Sequence, residues 1–178
     1  FRSAGCMRWG AWGAQFNTQQ YAIMISECIE NGITSFDHAD IYGGYTTEEE
    51  FGNAVKLSPS LRSKIQIITK CGICMPAANR PQYKIKYYDT SAKHIIASAE
   101  QSLKNFGTDY IDVLLIHRPS PLLNADEVAA AIISLKKDGK ILAFGVSNFL
   151  PHQVNMLAKN IDIAYNQLEI SILHLPPF

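Results

Sequence analysis

The chain has 178 residues, the length of one domain at about 100–200 residues each, and its 47% hydrophobic and 18% charged content excludes a disordered segment. Sixteen Lys and Arg balance sixteen Asp and Glu, which argues against a broad nucleic-acid surface but leaves room for a small basic phosphate pocket. No apolar run reaches the roughly 20 residues of a bilayer span, the opening FRSAGCMRWG does not read as a signal segment, and four cysteines are sparse for a disulfide framework. The expectation is one reduced, cytoplasmic domain over residues 1–178.

Met7–Gly10 is a short candidate strand. Thr18 is a plausible cap for a helix with Tyr21, Met24, Ile25, Cys28 and Ile29 on one face, stopped at Gly32. The runs Ile33–Ala39, Lys64–Gly72, Tyr110–Pro119, Lys140–Phe149 and Ile161–Ile170 read as strands buried on both faces. Between them lie helical patterns: Thr47–Lys56, a segment from Asp89 to Gly107 with Ile95, Ala99, Leu103 and Phe106 in register, a segment from Asn124 to Gly139, and Pro151–Lys159. Asp126 and Glu127 in the first turn and Lys136 and Lys137 in the last complement the helix dipole. The stretch Gly72–Asp89 is long for a strand-to-helix connection and reads as an ordered functional loop.

Strands and helices alternate throughout, so the strands form a parallel sheet with right-handed crossovers. A doubly wound sheet and a (β/α)8 barrel both fit that pattern.

Polar residues close the strands. Asp37 and His38 end the second, Lys70 the third, His117 the fourth, Ser147 and Asn148 the fifth, and Gln167 and Glu169 the sixth. Sites in α/β folds are built at this edge. A lysine ammonium favours the phenolate of a neighbouring tyrosine and makes it a better acid near neutrality. A carboxylate keeps that lysine charged and placed. A neutral histidine can donate to an oxygen that gains charge. These are the parts of a device that protonates a carbonyl oxygen while a hydride reaches its carbon.

FDHADIYGG, IITKCG, LLIHRP, FGVSNF and YNQLEIS occur in that order, and the chain from about Met7 onward resembles the aldo-keto reductase family. DHADIYGGY, AEQSL and LLIHRPSPL look most like its bacterial YdhF-type oxidoreductases. The resemblance implies an aldo-keto reductase TIM barrel, (β/α)8, of which the chain carries about the first six β/α units. It implies a monomer that reduces aldehydes and ketones with NADPH, NADH being an alternative, and that takes a small-molecule carbonyl substrate, with no nucleic-acid or membrane partner. By motif, Asp37, Tyr42, Lys70 and His117 are catalytic. Ser147, Asn148 and Gln167 hold the nicotinamide carboxamide. Arg8 and Trp9 align with first-strand residues at the cofactor and substrate mouth. His38 and Asp40 support the loop, and Gly43 and Gly44 let it turn. The family's last two strands, with its basic adenosine-phosphate loop, have no counterpart in the sequence. A truncated chain with weak NADPH affinity is therefore expected.

Two other functions stay in view: a cofactor-binding partner subunit, which the intact tetrad disfavours, and an inactive fragment. A metal-dependent hydrolase is remote, because Lys70 among Asp37, His38 and His117 repels a cation. No metal site is expected, since Cys71 and Cys74 form a C-x-x-C without further ligand pairs. His94 and His152 read as surface or boundary residues, and His174 as a lesser candidate near the mouth. Gly5, Gly10 and Gly13 do not make a dinucleotide fingerprint. Trp9 and Trp12 suit either a core or a substrate pocket.

Overall fold

The computed structural model describes residues 2–169. In chain order its elements are β1 (Ser3–Gly5), α1 (Thr18–Glu30), β2 (Ser35–Asp37), α2 (Thr47–Lys56), β3 (Gln66–Cys71), β4 (Ile73–Cys74) and β5 (Tyr87–Tyr88). Then follow α3 (Ala92–Phe106), β6 (Ile111–Ile116), α4 (Ala125–Lys137), β7 (Ile141–Ser147), α5 (Pro151–Leu157) and β8 (Tyr165–Gln167). Six strands form one sheet in the order β1-β2-β3-β6-β7-β8, and every pairing in it is parallel. A doubly wound sheet reverses its strand order at a switch point. This sheet never reverses, so it winds as an arc of a (β/α)8 barrel, which decides between the two architectures that the alternation allowed.

The helix ends follow local chemistry. Asn17, not Thr18, caps α1: its side chain accepts the Gln20 N–H at 3.0 Å while Gln20 Oε1 accepts the Asn17 N–H at 2.9 Å. Ser91 accepts the His94 N–H at 3.3 Å to cap α3, and Gly107, at φ 64°, ends it in the left-handed conformation. Asn124 caps α4 by accepting from Asp126 and Glu127.

Two expectations about the first strand and the last helix change. Cys6–Arg8 is a 3₁₀ turn, so Met7–Gly10 is not a strand, and the strand is Ser3–Gly5. The chain doubles back there: Ala14 donates to the Arg8 carbonyl at 2.7 Å, and a Cβ on Gly13 would stand 2.0 Å from that oxygen. The helix after Pro151 stops at Leu157 rather than Lys159. The other strands lie inside the expected runs but are shorter, because only the residues that find a ladder partner count as strand.

The helices pack on the outer face of the arc over two apolar clusters. One joins Ile95, Ala99, Leu114, Val128, Ile132 and Phe144. The other joins Tyr21, Ile25, Phe36, Phe51, Ile67 and Phe106. Arg62 braces the opposite end, donating to Asp112 Oδ2 at 2.8 Å and to the Tyr110 carbonyl at 2.9 Å. Asp112 Oδ2 also accepts the Ile67 N–H at 2.9 Å, which ties β3 to β6. The long connection after β3 is ordered as expected. It contains the antiparallel β4–β5 hairpin, in which Ile73 faces Tyr88 and Cys74 faces Tyr87.

Candidate active site

Parallel strands all end on the same rim, and here those ends carry the polar residues. Asp37 terminates β2, Lys70 is the penultimate residue of β3, His117 follows β6, Ser147 terminates β7 and Gln167 terminates β8. A cavity of about 460 Å³ opens on this rim and is lined by Asp37, Tyr42, Lys70, His117, Ser147, Asn148 and Gln167 together.

Lys70 is the hub. Its side chain is 2% exposed, and its Nζ lies 2.8 and 2.9 Å from the Asp37 carboxylate oxygens, 2.7 Å from the His38 carbonyl and 3.3 Å from the Tyr42 hydroxyl. An ammonium has donors only, so the Tyr42 oxygen accepts from it. The phenolic hydrogen is then left for another acceptor. Burial pulls the Lys70 pKa down, and Asp37 opposes that shift.

Tyr42 does not behave as the sequence suggested. Its pKa is raised, first by burial and then by the Asp37 charge, so the phenol is held protonated. The nearby ammonium was expected to favour phenolate. Desolvation and the carboxylate set the direction instead, and the charge that opposes them is that of Arg118.

The turn that presents Tyr42 needs unusual backbone. Gly43, Gly44 and Tyr45 have φ of 63°, 69° and 70°. A Cβ on Gly43 would meet Thr47 Oγ1 at 2.5 Å. Thr46 and Thr47 donate from their backbone N–H groups to the Tyr42 carbonyl at 3.2 and 3.3 Å, so the tyrosine is anchored at the start of α2.

His117 borders Tyr42, with ring centroids 6.1 Å apart. Burial, and then the positive charges of Lys70, Arg118 and Lys86, lower its pKa to about 3. The ring is therefore neutral, and its Nδ1 has no hydrogen-bond partner among the described residues. On the far wall, Gln167 Nε2 donates to Asp37 Oδ1 at 3.0 Å. Asn148, at φ 62°, donates to Ser147 Oγ at 2.8 Å, and Ser147 Oγ donates to the Gln167 carbonyl at 3.2 Å. Two amides and a hydroxyl supply both donors and acceptors, the set that an uncharged carboxamide needs. These residues fit the nicotinamide end of the expected cofactor.

Arg8 and Trp9 fall outside this group. Arg8 is exposed and donates to the Trp12 carbonyl at 3.4 Å. Trp9 packs among Phe16, Tyr21, Phe36 and Phe51. The 3₁₀ turn swings the chain so that Met7 and Trp12 line the cavity instead, with Trp12 6.3 Å from the Tyr42 ring. His38 is buried against Phe51 and Phe106 at 4.5 and 5.1 Å, and burial followed by the Lys70 charge lowers its pKa to about 3. Asp40 is half-buried, and desolvation, followed by the Glu48 charge, raises its carboxyl pKa well above the usual range. His152 is exposed, His94 is partly buried, and His174 lies outside the described residues.

Sequence reasoning missed Lys86 and Arg118, which line the same cavity, and Glu48, which is buried between α2, β3 and α3. Glu48 accepts from Thr69 at 2.6 Å, Ser102 at 2.9 Å and Asn105 at 2.9 Å. In sequence it looks like one acid of three at a helix start. Nothing local marks it as the buried one.

Residues 3–177 match the Aldo/keto reductase family. The chain belongs to the aldo-keto reductases. It is 48% identical over 170 residues to the oxidoreductase YdhF of Escherichia coli, covering 94% of this chain and 56% of that protein. It is 47% identical over 156 residues to a 6-dehydroglucose reductase of Agrobacterium fabrum, covering 86% of this chain and 52% of that protein. A solved structure of a glycerol dehydrogenase from Gluconobacter oxydans superposes with a TM-score of 0.84 at 28% identity, over 97% of this chain and 52% of that one. The chain thus spans about half the length of the aldo-keto reductase relatives it matches.

Proposed function

We propose that the protein carrying this chain reduces small oxygen-rich aldehydes or ketones to alcohols, with Tyr42 as proton donor. The observation that carries the reading is the Lys70 ammonium, within 3.3 Å of the Tyr42 oxygen and 2.9 Å of both Asp37 oxygens. Support for a polar substrate comes from a mouth that includes Lys86, Arg118 and Asn148, and from the likeness to a reductase named for 6-dehydroglucose.

Ser147, Asn148 and Gln167 would hold the nicotinamide of NADPH, or of NADH. The cofactor, when bound, supplies a hydride to the carbonyl carbon. The residues of the chain manage the proton. Tyr42 stays a phenol until the carbonyl oxygen gains charge, then gives it the phenolic hydrogen. Lys70 donates to the tyrosine oxygen and stabilises the phenolate as it forms. Asp37, gripped by Lys70 and Gln167, fixes the ammonium in place. Neutral His117 offers a ring N–H to the same carbonyl oxygen.

Lys70→Met tests the reading. It removes the stabilising charge while keeping an unbranched side chain only one atom shorter. Aldehyde-dependent oxidation of NADPH, followed by absorbance, is expected to fall by about 100-fold or more. Turnover at the wild-type rate contradicts the reading.

A further inference from the structure

The connection between β3 and α3 holds a second group of donors that carbonyl reduction does not use. Cys74 in β4, Asp89 beyond β5 and His94 in the first turn of α3 each present a ligand atom, all within 4.8 Å of one another. Cys74 Sγ lies 3.9 Å from His94 Nε2, and Asp89 Oδ2 lies 3.9 Å from His94 Nδ1. Local folding assembles them. Cys74 pairs with Tyr87 across the hairpin, which sets Asp89 two residues further on. Asp89 Oδ1 accepts the Ser91 N–H at 3.0 Å, and the Ser91 side chain caps the turn that carries His94.

His94 Nε2 meets Cys74 Sγ at 3.9 Å and the Ser98 hydroxyl at 3.3 Å, so the open spacing is on the Asp89 side of the ring. An N–H···O contact spans about 2.7–3.2 Å, so Asp89 at 3.9 Å is not bonded to the ring. Two ligands on a tetrahedral zinc, at bond lengths near 2.0–2.3 Å, stand roughly 3.4–3.6 Å apart. One ring nitrogen takes the ion, so from separations of up to 4.8 Å the donor that now faces the other nitrogen must make a shift of about 1 Å. Asp89, the most exposed of the three, has room to make it. A thiolate and a carboxylate together neutralise a divalent charge, so a bound ion leaves no net charge in a partly buried loop. His94 also borders a polar cavity of about 550 Å³, which supplies water for a fourth position.

We propose that Cys74, Asp89 and His94 bind one zinc ion, with water from the adjoining cavity as its fourth ligand. Thiolate and imidazole select zinc over the oxygen-seeking magnesium and calcium. The C-x-x-C spacing misleads here: Cys71 is buried in the apolar cluster on the helix side of the sheet, and the fold gives Cys74 other partners. The bound ion pins the hairpin to α3 and so fixes the segment that carries Lys86 into the mouth.

The site lies apart from the reductive machinery, so its test does not depend on turnover. The metal-free chain is titrated with Co²⁺, an optical stand-in for zinc. One equivalent is expected to produce thiolate-to-cobalt charge-transfer absorption and tetrahedral d–d bands, which equimolar Zn²⁺ erases. Cys74→Ser is expected to remove the charge-transfer band. His94→Gln and Asp89→Asn, at incompletely buried positions, weaken binding by about 10-fold or more, since even outer-shell losses cost 10–100-fold. Cys28→Ser, on α1, changes nothing. Absence of the charge-transfer band at one equivalent, or titrations of C74S and H94Q that match the parent, overturn the proposal.

Discussion

Gln167 at the end of β8 donates to Asp37 at the end of β2 over 3.0 Å, although 130 residues separate them in sequence. Along the sheet, β3, β6 and β7 lie between these two strands. A flat sheet with strands about 4.8 Å apart would hold them nearly 20 Å from each other. The contact therefore measures the curvature of the arc, and it joins the wall of Ser147, Asn148 and Gln167 to the residue that places Lys70. Gln167→Leu keeps the bulk and removes the donor. It is expected to raise the KM for the nicotinamide cofactor and to lower kcat by about 10-fold, a loss typical of a mispositioned catalytic group. Steady-state kinetics over a range of cofactor concentration check both.

Much of this rim was legible in the chain. Asp37, Lys70, His117, Ser147 and Gln167 each follow an apolar run, and an apolar run in an alternating α/β pattern ends at the functional edge. The helix start at Asn124 and the helix stop at Gly107 were visible from residue type alone. Arg8 and Trp9 were misplaced because a 3₁₀ turn, rather than a strand, sets the direction of side chains after Gly5. Lys86 and the Cys74–His94 contact depend on how the loop after β3 returns across the sheet, which no short-range pattern encodes, whereas Arg118 stands next to His117 and could have been read with it. The behaviour of Tyr42 was misjudged because sequence shows the neighbouring charge but not the burial.

Glu48 is a second long-range prediction. Its carboxyl pKa is raised by burial, and its bonds to Thr69, Asn105 and Ser102 oppose that shift. Glu48→Ala leaves those donors unpaired between α2, β3 and α3. A stability loss of about 3 kcal/mol is expected from the broken buried network. Urea denaturation of the variant against the parent measures it. Glu48→Gln, which can still accept, should lose less.

Stability should also fall in mild acid. His38 has a folded pKa of about 3 against an ordinary value of 6.5, because burial excludes its charged form. Below about pH 6.5 the unfolded chain takes up a proton that the folded one refuses. The neutral ring's contribution is thus complete above that pH and is lost as pH falls toward 3. The slope is about 1.4 kcal/mol per pH unit for each such histidine. His38→Leu removes one proton from that uptake. Its urea-derived stability between pH 6 and 4 should decline less steeply than the parent's, by about one proton's worth. Equal slopes would mean that His38 is not excluded from protonation.

In the proposed reduction the phenolic hydrogen of Tyr42 becomes the hydrogen on the product oxygen. Tyr42→Phe removes it and leaves Lys70, Asp37 and the carboxamide wall untouched. The direct measurement is single-turnover aldehyde reduction by this variant, beside its Kd for NADPH by fluorescence titration. The account predicts a rate reduced by about 100-fold or more, as loss of a general acid requires, with Kd unchanged. A variant that reduces aldehyde at the parent rate would contradict it.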